Sequence, residues 1–292
     1  MFELTQLNGN DYYVRCAAQF GVIMTGDGEV CLIDSGTDAG AGDRMYGILR
    51  EKGWTLRAIY NSHGHADHMG GNRRLQEKTG CAAYASGAEQ VFGSRPILDP
   101  AFLFGGDPPP EICTRMLMPE QSDILPLSDD VLPEGWSIVP LPGHTFDMVG
   151  YRTPGNAVFL ADCLSGIETL EKHKFTFLTD LGAYLDTLEK VRGMEASVFV
   201  PAHAPACEDI RPLAEYNERH VLRLADMIRD LCAEPVGTEE LLKKLFDRLG
   251  LTLDFFDYAI SASTLRSFLT WLKKRGEAEA FFEDNRLLWK KK

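Results

Sequence analysis

The sequence predicts a layered α/β domain over residues 1–209, followed by a smaller, mostly helical domain over residues 210–292. Three observations predict it. Strand-like apolar runs alternate with helical stretches through the first part of the chain, the pattern of a layered α/β domain. Several of those runs end on histidine or aspartate, and strand ends are where α/β sheets open their pockets. From Ile210 the pattern changes to helical stretches and one hairpin.

The elements follow in order. Tyr12-Tyr13-Val14 and Gly21-Val22-Ile23-Met24 read as short strands. Thr25-Gly26-Asp27-Gly28 turns the chain into Glu29–Asp34, a third strand and hairpin partner of the second. A helix is expected from Ala41 to Lys52, stopped by Gly53, and then a strand over Ala58–Asn61. One helix from His68 to Thr79, ended by Gly80, leads to a strand over Cys81–Ala85. From Ser86 to Pro133 the pattern loosens, and the three prolines near Phe102–Pro110 argue against regular structure there. That stretch is either a solvated loop or a substrate-facing one. Regularity returns in strands at Trp136–Leu141, Val149–Arg152 and Ala157–Asp162, a helix at Asp180–Arg192 and a strand at Ser197–His203. In the tail, helices are expected over Leu213–Ala233, Thr238–Leu249 and Ser263–Lys274. A hairpin around Glu283-Asp284-Asn285 completes a winged-helix-like arrangement.

The chain is organised around Ser62-His63-Gly64-His65-Ala66-Asp67-His68-Met69-Gly70-Gly71. Only seven histidines occur in 292 residues, and three of them fall here beside an aspartate. Imidazole and carboxylate are the ligands of zinc and similar divalent ions, and two ions need more than four such groups. His144, Asp162 and His203 each follow a strand-like run and supply the missing ligands. Charge is consistent with a small-molecule site. The formal net charge is −13, which opposes nucleic acid and anionic membranes at long range. Counted from Ile210, the tail has 15 Lys+Arg against 14 Asp+Glu, so the acidity lies in the first 209 residues. Seven widely spaced cysteines without a CxxC, no cationic apolar leader and no bilayer-length apolar run lead us to expect a cytoplasmic protein with reduced thiols and no membrane partner.

With these residues placed, the first 209 positions resemble the metallo-β-lactamase superfamily: HxHxDH, a histidine after Pro142-Gly143, an aspartate closing a later strand and a final histidine. Asp34-Ser35-Gly36 is similar to that family's early strand-end motif. The resemblance implies an αββα sandwich with a dinuclear centre in an edge cleft. It implies that His63, His65 and His144 hold one ion, that Asp67, His68 and His203 hold the other, and that Asp162 bridges them. Two divalent ions are expected, zinc first, with iron or manganese as alternatives. The tail resembles that of a subgroup which includes β-lactamase-like endoribonucleases. Diiron flavoproteins of the superfamily usually carry glutamate where His65 stands, and have a flavodoxin domain that this chain lacks; redox chemistry is therefore disfavoured. Cys163 beside Asp162 stands where some true β-lactamases have a cysteine ligand, but period-two alternation turns the two side chains apart and Cys163 is read as structural. His173 and His220 match no ligand position, and His220 is read as a surface or packing residue.

Such a centre is expected to deliver a metal-bridged hydroxide, with Asp67 orienting it and passing a proton to the leaving group. The favoured substrate is a small ester, thioester or lactone, with Phe102–Thr114 as the substrate-facing loop. The alternative is an endoribonuclease or phosphodiesterase. That reading requires a basic stripe, such as Lys273-Lys274-Arg275 with Lys290-Lys291-Lys292, facing the cleft. A third, non-enzymatic reading makes the tail an oligomerisation or interaction module beside a relic site, and the complete ligand set argues against a relic.

Overall fold

The structure, a computed structural model, describes residues 2–292. It opens with four strands, β1 (Glu3–Asn8), β2 (Asp11–Arg15), β3 (Phe20–Gly26) and β4 (Glu29–Ile33), each antiparallel to the next. Helix α1 (Ala39–Lys52) then carries the chain across, and β5 (Thr55–Tyr60) returns parallel to β4. After α2 (Ala66–Met69) and α3 (Asn72–Thr79), β6 (Ala82–Ala85) adds to the same edge. Helices α4 (Gly87–Ser94) and α5 (Leu98–Phe104) precede the short β7 (Leu125–Pro126), which completes a seven-stranded sheet in chain order.

A second sheet has four strands in the order β11-β10-β9-β8. They are β8 (Ser137–Pro140), β9 (Val149–Arg152), β10 (Ala157–Ser165) and, after α6 (Ile167–His173) and α7 (Leu181–Arg192), β11 (Val198–His203). Period-two alternation sorts the side chains into layers. Ile23, Cys31, Ile33 and Tyr60 meet Tyr151, Phe159 and Val200 of the second sheet. Their neighbours Val22, Val30, Leu32 and Ile59 face the other way, against Met45 and Leu49 of α1 and Leu75 of α3. On the far side, Val158 and Leu160 pack against Leu181, Tyr184 and Leu188 of α7. Helix, sheet, sheet, helix is the expected αββα order.

The tail runs α8 (Arg211–Leu231), β12 (Val236–Gly237), α9 (Thr238–Leu249), α10 (Phe255–Lys274), β13 (Ala278–Glu283) and β14 (Arg286–Lys291). Its three strands pair in the order β12-β14-β13. Its core is continuous with the layer over the second sheet: Leu224, Leu241, Phe268 and Leu272 belong to the same buried cluster as Leu160 and Leu181. Among the described residues no helix is long and apolar enough to cross a membrane, and all seven cysteines are free.

Several expectations need correction. The single helix expected over His68–Thr79 is two, because Ser35 interrupts it. The Ser35 N–H donates to the His68 carbonyl at 2.8 Å, and Gly71 N–H donates to Ser35 Oγ at 3.1 Å. Glycine is required at this contact, since a Cβ on Gly70 would overlap the Thr37 backbone and one on Gly71 the Ser35 carbonyl oxygen. The stretch from Ser86 contains α4 and α5, so Phe102-Leu103-Phe104 is helical and irregular backbone begins at Gly105. Pro100 is tolerated because it lies in the first turn of α5, where no intrahelical donor is needed. Helix α10 begins at Phe255 rather than Ser263, capped by the Asp254 carboxylate accepting from Asp257 N–H at 2.8 Å. Strands β1 and β7 and helix α6 have no counterpart in the sequence reading.

Candidate metal centre

Five loops and strand ends converge at one edge of the sandwich. His63 and His65 follow β5, Asp67 and His68 lie on α2, and His144 sits in the turn after β8. Asp162 is inside β10, not at its end, and His203 is the last residue of β11. Two clusters of donors result: His63, His65 and His144, and next to them Asp67, His68, Asp162 and His203. All seven residues expected as ligands are therefore brought together. In the first cluster His65 Nδ1 is 3.0 Å from His63 Nε2 and 3.1 Å from His144 Nε2. In the second, His203 Nε2 is 3.2 Å from Asp67 Oδ2 and 3.3 Å from Asp162 Oδ2. The Asp162 carboxylate lies between them, with Oδ1 3.1 Å from His68 Nε2 and Oδ2 3.5 Å from His144 Nε2.

The outward nitrogens are tied down, which fixes ring orientation. His144 Nδ1 is 3.1 Å from the Phe177 carbonyl, and His203 Nδ1 is 3.0 Å from the Ala17 carbonyl. His63 Nδ1 lies 3.0 Å from Ser62 Oγ. His68 Nδ1 faces the buried Asp34 carboxylate at 2.9 Å. Asp34 also accepts from Ser62 N–H at 2.7 Å and Ser62 Oγ at 2.8 Å. Its backbone is left-handed, φ 65°, which aims the carboxylate back beneath the histidine loop.

Glu89, which the sequence reading missed, is fully buried and bridges the two histidine loops. Its Oε2 accepts from Gly64 N–H at 2.9 Å, and its Oε1 accepts from Thr145 Oγ1 at 2.7 Å and Asp147 N–H at 3.0 Å. The available signal was Ser86-Gly87-Ala88-Glu89, a capping-box pattern that announces a helix start. Both side chains are diverted from capping: Ser86 Oγ donates to the Asp147 carbonyl instead. Behind Glu89 lies Asp99, 6% exposed, with Oδ2 making no hydrogen bond.

Electrostatics divide the site. Burial lowers His63 and His65, and brings His144 down to about 4. The carboxylate of Asp162 raises His203 to about 10 against the effect of burial. Burial also opposes the charge on His68, but Asp162, Asp67 and Asp34 outweigh it and raise this ring well above the ordinary imidazole value. The same pairs keep Asp67 and Asp162 ionised in spite of burial. A divalent cation fits what remains. His68 Nε2 and Asp162 Oδ1 are both buried, face each other and make no hydrogen bond. Buried polar atoms without partners are rare, and a cation between them satisfies both.

Burial, with Glu89 adding to it, pushes Asp99 from the ordinary value of 3.8 up to about 7. Between those two values only the folded chain keeps the proton, so this group's contribution to stability falls as pH rises and its penalty is complete above the folded value. Asp99→Asn is expected to stabilise the fold by about 2–4 kcal/mol at pH 8 and to have little effect at pH 4. Denaturant midpoints at both pH values check this. An equal shift at both would trace the effect to packing.

Cys163 is buried in the apolar layer with Leu160 and Leu164, and burial pushes its thiol up, so it packs rather than ligates. His173 is exposed, and His220 Nε2 donates to the Lys174 carbonyl at 2.8 Å. The cleft above the donors has a volume of about 340 Å³. Leu103, Met116, Leu117, Phe177 and, from the tail, Phe256 and Ile260 line it. The irregular segment thus meets the cleft at Arg115–Leu117, just beyond the expected Phe102–Thr114, although Leu103 falls within it.

A two-sheet sandwich with a divalent-metal donor set at one edge defines the class. The family model of the metallo-beta-lactamase superfamily matches residues 8–203, and the chain belongs to that superfamily. Among solved structures, a beta-lactamase domain protein from Burkholderia ambifaria is similar over 99% of this chain and 94% of its own, with TM-score 0.76 and 16% identity. A metallo-beta-lactamase family protein from Thermus thermophilus is similar over 100% and 98%, with TM-score 0.71 and 16% identity. Both likenesses extend through the tail and concern the fold. Among curated relatives, a hydroxyacylglutathione hydrolase of Hyphomonas neptunium is 27% identical over 117 residues, 38% of this chain and 37% of that protein. The hydroxyacylglutathione hydrolase of Pseudomonas putida is 24% identical over 220 residues, 72% of this chain and 74% of that protein. The chain thus spans well under two thirds of the first of these relatives.

Proposed function

We propose that the chain is a metal-dependent hydrolase that cleaves a small ester, thioester or lactone. The supporting observation is the cleft: an apolar chamber opens directly onto the imidazole and carboxylate clusters, with Arg115 as its only lysine or arginine among the described residues. Its size is that of small-molecule pockets. The relatives named for hydroxyacylglutathione, an acyl group carried on a thiol, fit the thioester option.

In this reading His63, His65 and His144 hold one divalent ion, Asp67, His68 and His203 hold a second, and Asp162 stands between them. Zinc is the first choice for an imidazole-rich set, with iron or manganese as alternatives. When bound, such ions polarise the scissile carbonyl and lower the pKa of water toward neutrality. The protein orients the rest. Asp67 lines the cleft with its carboxylate anchored by His203, so it takes the proton of the attacking water and returns it to the departing sulfur or oxygen. The acyl carbon gains the water oxygen, the carbon–sulfur or carbon–oxygen bond breaks, and a carboxylic acid and a thiol or alcohol result, the two joined in one hydroxy acid when the substrate is a lactone. Residues 1–209 carry the chemistry in this reading, and residues 210–292 close one side of the cleft.

The endoribonuclease alternative is less well supported. Lys273, Lys274 and Arg275 do not line the cleft, nor do Lys290, Lys291 and Lys292. Arg275 stacks on Trp271 and pairs with Glu277. Elemental analysis of protein purified without chelator is expected to give about two divalent ions per chain, because seven ligands exceed one tetrahedral ion. A steady ratio near one, unchanged by added zinc or manganese, would count against two sites. In a substrate screen, thioesters or lactones should turn over. Cleavage of phosphodiesters alone would replace this reading with the nuclease one.

A further inference from the structure

We propose that α10 of the tail supplies the acyl-binding wall of the cleft, so that the preferred substrates carry an extended apolar acyl chain. This rests on the hydrolase reading and names the substrate class within it. The cleft has two unlike sides. One carries His65, Asp67, His144, Asp162 and His203. The other is made by Leu103, Leu117, Phe177, Phe256 and Ile260, which belong to one apolar cluster, with Met116 adjoining Leu117 in the chain. Apart from the donors, Thr37 and Arg115 are the only lining residues with polar side chains among the described residues, so a polar acyl group would find few partners.

The apolar side is built to keep its shape. Leu103, Ile112, Leu117 and Ala259 form a buried cluster on which Phe177, Phe256 and Ile260 pack. Those last three are only half-buried, and Met116 beside them is 63% exposed, which leaves apolar surface uncovered at the mouth. Phe177 joins the two sides. Its ring centroid lies 5.4 Å from that of His65 and 5.6 Å from that of His144. An acyl chain leaving a carbonyl at the donors would therefore run over Phe177 onto Phe256 and Ile260, burying methylenes along its length.

The test uses the metal-loaded full chain and two assays. Hydrolysis is followed on acetyl, hexanoyl and decanoyl thioesters of one simple thiol. Binding of acetate, hexanoate and decanoate is followed by calorimetry, which needs no turnover. For the wild type, both kcat/KM and carboxylate affinity are expected to rise by about threefold per methylene until the wall is covered. Phe256→Ser combined with Ile260→Ser should lower the decanoyl-to-acetyl ratio by about tenfold or more with metal content unchanged. Ile260→Trp, which fills the wall, should shift the preference to shorter chains. Phe282→Ser, at a side chain 75% exposed on the tail hairpin, should leave the ratio as it was. No length dependence in either assay, or a ratio indifferent to the α10 variants, overturns the proposal. Length-dependent binding with no cleavage of any thioester, ester or lactone in the substrate screen sustains the wall and overturns the hydrolase reading. Cleavage without length dependence does the reverse.

Discussion

Asp162→Ala is expected to release at least one ion and to lower turnover by about three orders of magnitude or more on every acyl substrate. The reason is its position. One oxygen faces His68, the other faces His144 and His203, so one carboxylate touches both donor clusters. Two cations held a few ångströms apart repel each other, and an anion between them offsets that repulsion and fixes their separation. Nothing else in the site can take over, because Asp67 reaches only the second cluster. Cys163→Ala, one residue further along β10, is the matched control. Its thiol is buried among Leu160 and Leu164, so the variant should keep its metal and lose about 1–2 kcal/mol of stability to the cavity. Metal content and kcat/KM are measured on both. Near-normal values for Asp162→Ala, or metal loss in Cys163→Ala, would falsify the assignment.

Removing Asp34 should be almost as damaging, although it reaches no substrate. Asp34→Ala strands three donors, the Ser62 N–H, the Ser62 hydroxyl and the His68 ring, all nearly sealed from water. Each buried donor left alone costs about 1–3 kcal/mol, and alanine is less suited than aspartate to the left-handed backbone at this position. We expect a loss of about 3–5 kcal/mol in stability and about 10–100-fold in metal affinity. Asp34→Asn keeps one acceptor and should recover part of both. The measurements are a denaturant midpoint and a competition titration with a chelator of known affinity. Weakened stability with unchanged affinity would show that the histidine loop keeps its geometry without this carboxylate.

The candidate donor set was legible because histidine and aspartate crowd into one short loop, the local mark that metal ligation would leave. His63 to His68 is a cluster with no simpler explanation, and His144 and His203 stand just after strand-like runs. The layered α/β class followed from strand-like runs alternating with helical stretches, whereas the two-sheet sandwich came only with the family resemblance. Other features depend on contacts between residues far apart in sequence. Ser35 divides the helix after the metal loop through bonds to His68 and Gly71, which no local propensity encodes. Glu89 serves Gly64, Thr145 and Asp147, and its own neighbours suggest only a helix start. The prolines after Gly105 were read too broadly, since helix propensity and a first-turn proline carry α5 up to Phe104. Sequence alone also gave no hint that Phe256 and Ile260 reach the cleft, because helix periodicity names a face but not what lies opposite it.

Helix α10 separates two duties by face. Ala262, Leu265, Phe268, Leu269 and Leu272 are locked into the core shared with the second sheet, while Phe256 and Ile260 stand one turn apart at the cleft, only half-buried. Substitutions at the first set are expected to cost stability, and those at the second, under the proposed acyl wall, to alter substrate preference. Under the proposed acyl wall, a lineage carrying this chain would drift toward new acyl groups by changing two positions at the start of one helix, with the candidate ion-binding residues and the shared core left untouched.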